Sequence, residues 1–246
     1  MRRVIVIIMV LCFLIPLTGC RKANRSSRAR RTRVETTMKP SEQEMPAEKN
    51  VVEQPESRSK TPLTGAEIFK RYENAVFMIY TFDDTYIHQG SGFFIGADGL
   101  AVSNYHVFEG TNIGKELIKL ANDNSRSYKI NSILYESKEH DCIIFRVDYQ
   151  NSIYIPISDS KPSIGDKVYA IGSPRGLENT FSSGEVSQWR SGFLMQISAL
   201  IDHGSSGGAL INEYGKAVGI TSGTLYDGSQ ANLNYAMSID VIKGHF

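Results

Sequence analysis

The chain has 246 residues, of which 41% are hydrophobic, and its formal net charge at pH 7 is +1. This length accommodates one large domain or two small ones, and the hydrophobic content is that of an ordinary globular protein with a sizeable core. The small total charge excludes a uniformly basic or acidic chain but conceals an asymmetry. Residues 1–60 contain 13 Lys and Arg against 6 Glu, a net charge of +7, which leaves −6 for residues 61–246.

The N-terminus has the pattern of an export signal. Met1-Arg2-Arg3 precedes a mostly apolar run over residues 4–17, which is shorter than the roughly 20 residues that span a membrane. The run ends in Leu17-Thr18-Gly19-Cys20, which resembles a bacterial lipobox. We therefore predict a lipoprotein signal peptide over residues 1–19 and lipidation of Cys20. A core-type cysteine after an ordinary signal peptide is the alternative.

Residues 20–61 form a basic and polar segment with almost no large apolar side chain, so we expect a flexible tether. Seven positive charges lie between Arg21 and Arg33. Basic residues beside a single acyl chain strengthen binding to anionic lipid, although they could equally serve only to solvate the linker. The segment has no aromatic residues that would stack on bases, so we expect no nucleic-acid partner. Arg21 follows Cys20 where the inner-membrane retention signal of Gram-negative lipoproteins would have Asp. If the source is Gram-negative, we therefore expect the protein at the outer membrane or the cell surface.

The cysteines allow no intramolecular disulfide, because Cys12 leaves with the signal peptide and Cys20 is acylated. The third, Cys142, stands in an apolar stretch and is expected to be a buried small hydrophobe.

A folded domain is predicted over residues 62–246. It begins with a short helix over 64–72, in which Thr64 and Glu67 have the spacing of a capping box. Many short β-rich segments follow, with turn residues between them and no amphipathic helices, which predicts antiparallel barrels or a sandwich. The segments are 75–82, 92–95, 100–103, 118–121, 127–135, 142–147, 167–171, 184–188, 193–198, 208–211, 216–222 and 233–237. A second short helix is predicted over 238–246.

A serine flanked by glycines lies in Gly204-Ser205-Ser206-Gly207-Gly208. A serine hydroxyl becomes a nucleophile only when a base takes its proton and donors receive the developing oxyanion. His106 is the candidate base. Asp141, directly ahead of an apolar segment, is the candidate carboxylate that orients it, with Asp148 as the alternative. The chain order His, Asp, Ser is that of chymotrypsin-type barrels and differs from the orders of subtilisins and α/β-hydrolases.

These residues lie within motifs that resemble the trypsin-like proteases of the HtrA (Do-like) group, in register over residues 65–240. The motifs are Gly90-Ser91-Gly92-Phe93, Asn104-Tyr105-His106-Val107, Asp141 before its strand, Ile171-Gly172-Ser173-Pro174-Arg175-Gly176-Leu177, Phe181-Ser182-Ser183-Gly184-Glu185-Val186-Ser187, Gly204-Ser205-Ser206-Gly207-Gly208 and Asn234-Tyr235-Ala236.

The resemblance implies an all-β fold of two six-stranded antiparallel β-barrels with short N- and C-terminal helices. It also implies a catalytic triad of His106, Asp141 and Ser206. The oxyanion hole would lie in the loop Gly204, Ser205 and Ser206, with the N–H groups of Gly204 and Ser206 as donors.

The walls of the first substrate pocket would, by the same resemblance, include Leu200, Thr221, Ser222 and Gly223. Residues 198–200 offer no carboxylate to receive Lys or Arg, so we expect cleavage after small or medium apolar residues. No cofactor is expected, and the spacing of the remaining histidines assembles no metal site. We expect the 40 residues after Ser206 to complete a barrel and a terminal helix, without a peptide-binding PDZ domain.

The sequence therefore predicts a lipid-anchored serine endopeptidase of the bacterial cell envelope that acts on unfolded or exposed polypeptide segments. Its membrane contact would be through Cys20 and the adjacent basic segment, and a homotrimer, usual in the group, is left open. The alternatives are a catalytically silent pseudoprotease that serves as a peptide-binding or scaffold module, and a hydrolase of small esters.

Overall fold

The structure is a computed structural model that describes residues 61–121, 123–173, 179–225 and 233–246. The predicted signal peptide, Cys20 and nearly all of the predicted tether lie outside these residues. No helix within the described part of the chain is long and apolar enough to cross a membrane.

Seven strands make up the first half of the domain. They are β1 (Val76–Phe82), β2 (Ile87–Phe94), β3 (Leu100–Ser103), β4 (Leu117–Leu120), β5 (Asp123–Tyr128), β6 (Ile130–Ser137) and β7 (Cys142–Val147). They form one antiparallel sheet in the order β5-β4-β1-β2-β3-β7-β6.

Six strands make up the second half and close into an antiparallel barrel in the order β10-β13-β12-β11-β8-β9. They are β8 (Lys167–Gly172), β9 (Thr180–Trp189), β10 (Leu194–Ile197), β11 (Ala209–Asn212), β12 (Ala217–Leu225) and β13 (Leu233–Ser238).

The alternation of side chains along the strands explains why both faces are apolar. In β8, Val168 and Ala170 point into the second barrel, whereas Tyr169 and Ile171 join the core between the two halves. In β1, Phe77 packs inside the first half and Val76 joins that shared core. The two halves are thus held together by a shared apolar core, and we call the surface boundary along which they meet the crevice.

The predicted N-terminal helix is present as α1 (Gly65–Tyr72), and the Thr64–Glu67 capping box is confirmed. The Glu67 backbone N–H donates to the Thr64 hydroxyl at 3.3 Å, and the Thr64 N–H donates to the Glu67 carboxylate at 2.8 Å. The hydrogen bond from the Thr64 N–H is the main reason that the pKa of the Glu67 carboxyl is lowered. Phe69 of α1 packs edge-on against Phe181 of β9, with ring centroids 5.9 Å apart, which fixes the start of the domain on the second barrel.

Glu116, a buried carboxylate, ties the ends of two strands in the first half. Its side chain accepts the backbone N–H of Gly114 at 2.5 Å and that of Ile130 at 2.8 Å, and its carbonyl accepts the Lys129 ammonium. A buried carboxylate is tolerated only when it is hydrogen-bonded. These donors therefore explain how Glu116, which directly precedes β4, can be only 1% exposed.

The prediction of an all-β, chymotrypsin-like fold is confirmed, with three differences in detail. Only the second half closes into a six-stranded barrel, whereas the described strands of the first half form a seven-stranded sheet. The segment predicted as one strand over 127–135 is part of two strands, β5 and β6, which separate at Lys129 and pair with different neighbours, so the first half has seven strands. The predicted C-terminal helix is one 3-10 turn, Ile239–Ile242, and the chain turns soon afterwards at Gly244, whose φ is +84°.

Candidate active site

Strand pairing brings His106 and Asp141 together. β3 and β7 run antiparallel with Ser103 opposite Ile143, so the residues after β3 and the residues before β7 lie at the same end of the sheet. His106 occupies a 3-10 turn, Tyr105–Val107, just after β3, and Asp141 immediately precedes β7. Asp148 follows the opposite end of β7, where its N–H donates to the Lys129 carbonyl. The structure therefore places Asp141, and not Asp148, beside the histidine.

The His106 ring is held by both carboxylate oxygens of Asp141. Its Nδ1 lies 2.8 Å from Oδ2 and 3.0 Å from Oδ1, and the backbone N–H of His106 donates to Oδ1 at 3.0 Å. An ionised carboxylate can only accept, so Nδ1 carries the proton in this arrangement. Nε2 is then the unprotonated nitrogen, which is the tautomer that a general base requires.

Two further side chains hold Asp141. The Asn104 amide donates to the Asp141 carbonyl at 2.8 Å and supports a backbone with φ of +45°, a conformation that aspartate adopts more readily than most residues. The Ser222 hydroxyl donates to Asp141 Oδ2 at 2.9 Å. Ser222 belongs to β12, so this bond joins the two halves across the crevice.

Ser222 reaches Asp141 because it is the extra residue of a bulge in β12. Opposite β13, Thr221 pairs with Ala236 and Gly223 pairs with Tyr235, which leaves Ser222 without a partner of its own in the ladder. Bulges re-aim side chains in this way beside functional sites. The sequence predicts Ser222 as a wall of the substrate pocket, whereas the structure places its hydroxyl on the carboxylate. No local signal identifies this contact, because the two residues are 81 positions apart.

The glycine-bounded loop presents Ser206 at the same crevice. A side chain built on Gly223 would begin 3.3 Å from Ser206 Oγ, so β12 touches the serine one residue after it touches Asp141. Among the described residues, no hydrogen bond joins Ser206 Oγ to His106. Contacts of this kind are often long without substrate and tighten when substrate binds.

The Gly204 and Ser206 N–H groups of this loop are the candidate oxyanion donors. The Ser205 carbonyl accepts the Thr221 hydroxyl at 2.6 Å and the Gly208 N–H at 2.9 Å. In a planar trans peptide the N–H points opposite to the C=O, so the Ser206 N–H faces away from these contacts. Within the described part of the chain, neither the Ser206 N–H nor the Gly204 N–H has an acceptor.

Ser205 differs from its two neighbours in this loop. Its N–H donates to the Asp202 carbonyl at 2.9 Å, so this third residue of the predicted oxyanion hole uses its amide inside the loop. The remaining predicted pocket residues also separate in role. Thr221 is 1% exposed and supports Ser205, while Leu200 is 70% exposed beside the buried Ile201.

Cys142 is buried, as the sequence predicts, and the structure excludes it as a nucleophile. The side chain is fully buried, and burial, assisted by the negative charge of Asp141, raises the pKa of the thiol to about 11. The thiolate is therefore negligible near neutral pH. The described residues also contain no group of His, Cys, Asp or Glu that could hold a metal ion.

A pair of β-sheet halves with a histidine–carboxylate pair and a glycine-bounded serine at their shared crevice defines a protein of the trypsin-like class. Residues 90–220 match the trypsin-like peptidase domain family. The chain belongs to this family of peptidases.

Its relatives are HtrA and Do-like serine proteases. The chain is 35% identical over 165 residues to a probable serine protease do-like of Buchnera aphidicola, covering 63% of this chain and 34% of the relative. It is 30% identical over 181 residues to serine protease HTRA1A of Danio rerio, covering 68% and 36%. For the periplasmic serine endoprotease DegP of Escherichia coli the identity is 32% over 165 residues, covering 63% and 34%. The chain thus spans about a third of the length of these relatives.

A solved structure confirms the chymotrypsin-like fold. The serine endoprotease from Yersinia pestis superposes with a TM-score of 0.64 at 26% identity, covering 74% of this chain and 65% of that chain.

Proposed function

We propose that the protein is a serine endopeptidase that hydrolyses peptide bonds with His106, Asp141 and Ser206 as its triad. The observation that carries this proposal is the hydrogen-bonded His106–Asp141 pair, because a carboxylate that accepts from Nδ1 favours the neutral tautomer that leaves Nε2 free to accept a proton. Ser206 lies in the glycine-bounded loop, where the Gly204 and Ser206 N–H groups have no acceptor among the described residues, and it supplies the other half of the chemistry.

The reaction follows from this geometry. Ser206 Oγ attacks the substrate carbonyl carbon while its proton passes to His106 Nε2, and the carbonyl oxygen becomes an oxyanion between the N–H groups of Gly204 and Ser206. Asp141 stabilises the imidazolium that forms. The C–N bond then breaks as His106 returns the proton to the leaving amine. Water, activated by the same histidine, hydrolyses the acyl-enzyme and restores Ser206.

The proposed substrate class rests on the sequence of the predicted pocket wall. Ser198-Ala199-Leu200-Ile201 contains no carboxylate that could pair with Lys or Arg, which favours small or medium apolar residues before the cleaved bond. A substrate backbone that lies between the two halves has to be extended, so the proposed substrates are unfolded proteins or exposed loops.

Labelling with a fluorophosphonate tests the activity. The full-length protein, purified in detergent, is expected to be labelled at Ser206 and to cleave a reduced, alkylated protein after apolar residues, as mapped by mass spectrometry. Ser206→Ala should do neither, whereas Ser187→Ala, which removes an exposed serine of β9, should do both. A folded wild-type protein that takes no label would overturn the proposal and favour a peptide-binding pseudoprotease.

We further place the protein in the bacterial envelope, anchored through a lipid on Cys20. The sequence Leu17-Thr18-Gly19-Cys20 and the seven basic residues after it support this, as does the similarity to the periplasmic serine endoprotease DegP of Escherichia coli. Wild-type protein is expected to stay with membranes in 1 M salt, where electrostatic attraction is screened to about 3 Å. Cys20→Ser should be released by the same wash, and its retention would contradict lipidation.

A further inference from the structure

Ser91, on β2 of the first half, is fully buried and contacts the nucleophile loop of the second half twice. Its N–H donates to the Ser206 carbonyl at 2.7 Å. Its hydroxyl donates to the Gly204 carbonyl at 2.7 Å and accepts the Ser173 N–H at 2.9 Å. Because the Ser173 N–H occupies the oxygen, the hydroxyl proton is directed at Gly204.

These contacts fix the peptide that lies between the Gly204 N–H and the Ser206 N–H. The peptide joining Gly204 to Ser205 is held at both ends, by the Ser91 hydroxyl on its carbonyl and by the Asp202 carbonyl on its N–H. A planar trans peptide anchored at its C=O and its N–H cannot rotate without breaking both bonds. The adjoining peptides carry the Gly204 and Ser206 N–H groups, so this anchor restrains the peptide on either side of it.

The anchor is needed because Gly204 is flexible. Its φ is +92°, a region in which glycine moves at little steric cost, so the backbone itself does little to fix the direction of the Gly204 N–H. The Ser91 hydroxyl supplies from the first half a restraint that the loop sequence lacks.

We propose that Ser91 is a positioning residue for the oxyanion hole, which holds the Gly204–Ser205 peptide so that both N–H donors face the reacting carbonyl. This role rests on the proposed peptidase function. It does not require Ser91 to touch the substrate, and it separates transition-state stabilisation, which depends on the donors, from ground-state binding in the pocket.

Ser91→Ala is therefore expected to lower kcat by about 10–100-fold, a part of the 10²–10³ that loss of a whole oxyanion donor costs, while KM changes less than about threefold. Binding of a peptide boronate, whose oxygen occupies the oxyanion hole, should weaken in parallel with kcat. Ser158→Ala is the matched control. Ser158 is also a buried serine whose hydroxyl donates to a carbonyl, that of Ser160 at 2.9 Å, away from the loop, and its replacement should leave kcat within about twofold.

The outcomes distinguish the two proposals. An active wild-type protein with kcat and boronate affinity unchanged in Ser91→Ala overturns only the role of Ser91, whereas a folded but inactive wild-type protein overturns the peptidase function and this role together. A higher KM with an unchanged kcat in Ser91→Ala would show a defect in substrate binding, and this result would also overturn the role of Ser91. If Ser91→Ala does not fold, Ser91→Cys is tested in its place, since it keeps a similar shape with a weaker donor. Ser91→Cys should lower kcat at least about threefold, and an unchanged kcat would overturn the proposal.

Discussion

His106→Ala is expected to reduce kcat/KM for an unfolded protein substrate by on the order of 10⁶-fold, because removal of the base from a triad of this type costs about as much as removal of the whole triad. The Ser206 hydroxyl then has no acceptor for its proton, and the leaving amine has no donor. The rate of fluorophosphonate labelling should fall with it. Both are measured on protein whose concentration is taken from absorbance and whose folding is checked by thermal unfolding.

The same variant should remain folded. The His106 side chain is 42% exposed, and Asp141 keeps two of its donors without the ring, the backbone N–H of residue 106 and the Ser222 hydroxyl. A substitution at such a site changes the free energy of unfolding by about 0.5 kcal/mol, so the midpoint should shift by less than about 3 °C.

His88→Ala is the matched control for His106→Ala. His88 is also an exposed histidine bonded to an aspartate, with Nε2 2.7 Å from Asp83 Oδ2, but it lies in the β1–β2 hairpin. Hydrogen bonding to His88 is the main cause that lowers the pKa of Asp83 to about 2. The activity of His88→Ala is expected to lie within about twofold of wild type.

In His106→Ala, by contrast, a residual activity above about 1% of wild type would show that another group takes the Ser206 proton.

The sequence predicts strands well where turn residues bound them. β3 and β7 have the predicted limits, Leu100–Ser103 and Cys142–Val147. The break between β5 and β6 is missed because no glycine or proline lies between residues 123 and 137, and the two strands separate only because each pairs with a different neighbour. Pairing of that kind is a long-range property that local composition does not encode.

The candidate site divides along the same line. Glycines around Ser206 and the order of the three residues predict the participants, since their chemistry is local. The supporting contacts are not predictable, because Asn104 with Asp141, and Ser91 with Gly204, are separated by 37 and 113 positions. Thr221 shows the consequence: predicted as a pocket wall, it instead holds the Ser205 carbonyl. Which face of β12 it occupies is decided by register.

Asp141→Asn is expected to lower kcat by about 10⁴-fold with little change in KM, through the wrong tautomer of His106. The structure fixes which way the new amide turns. Its NH₂ cannot occupy the Oδ1 position, because the His106 backbone N–H donates there and cannot rotate away. The NH₂ therefore takes the Oδ2 position, where the Ser222 hydroxyl can rotate from donor to acceptor. It then donates to His106 Nδ1, which moves the ring proton to Nε2 and blocks acceptance of the Ser206 proton.

The tautomer of His106 can be measured directly. The measurement separates a change of tautomer from loss of the Asp141 negative charge as the cause of a lower kcat. Nitrogen chemical shifts of labelled His106 should place the proton on Nδ1 in the wild type and on Nε2 in Asp141→Asn. Asp148→Asn, at the exposed far end of the same strand, should change neither the tautomer nor kcat, since Asp148 lies away from the ring. A larger loss in Asp148→Asn than in Asp141→Asn would contradict the triad. Unchanged nitrogen shifts with a 10⁴-fold loss would mean that Asp141 acts by its charge on the imidazolium and not by selecting the form of the base.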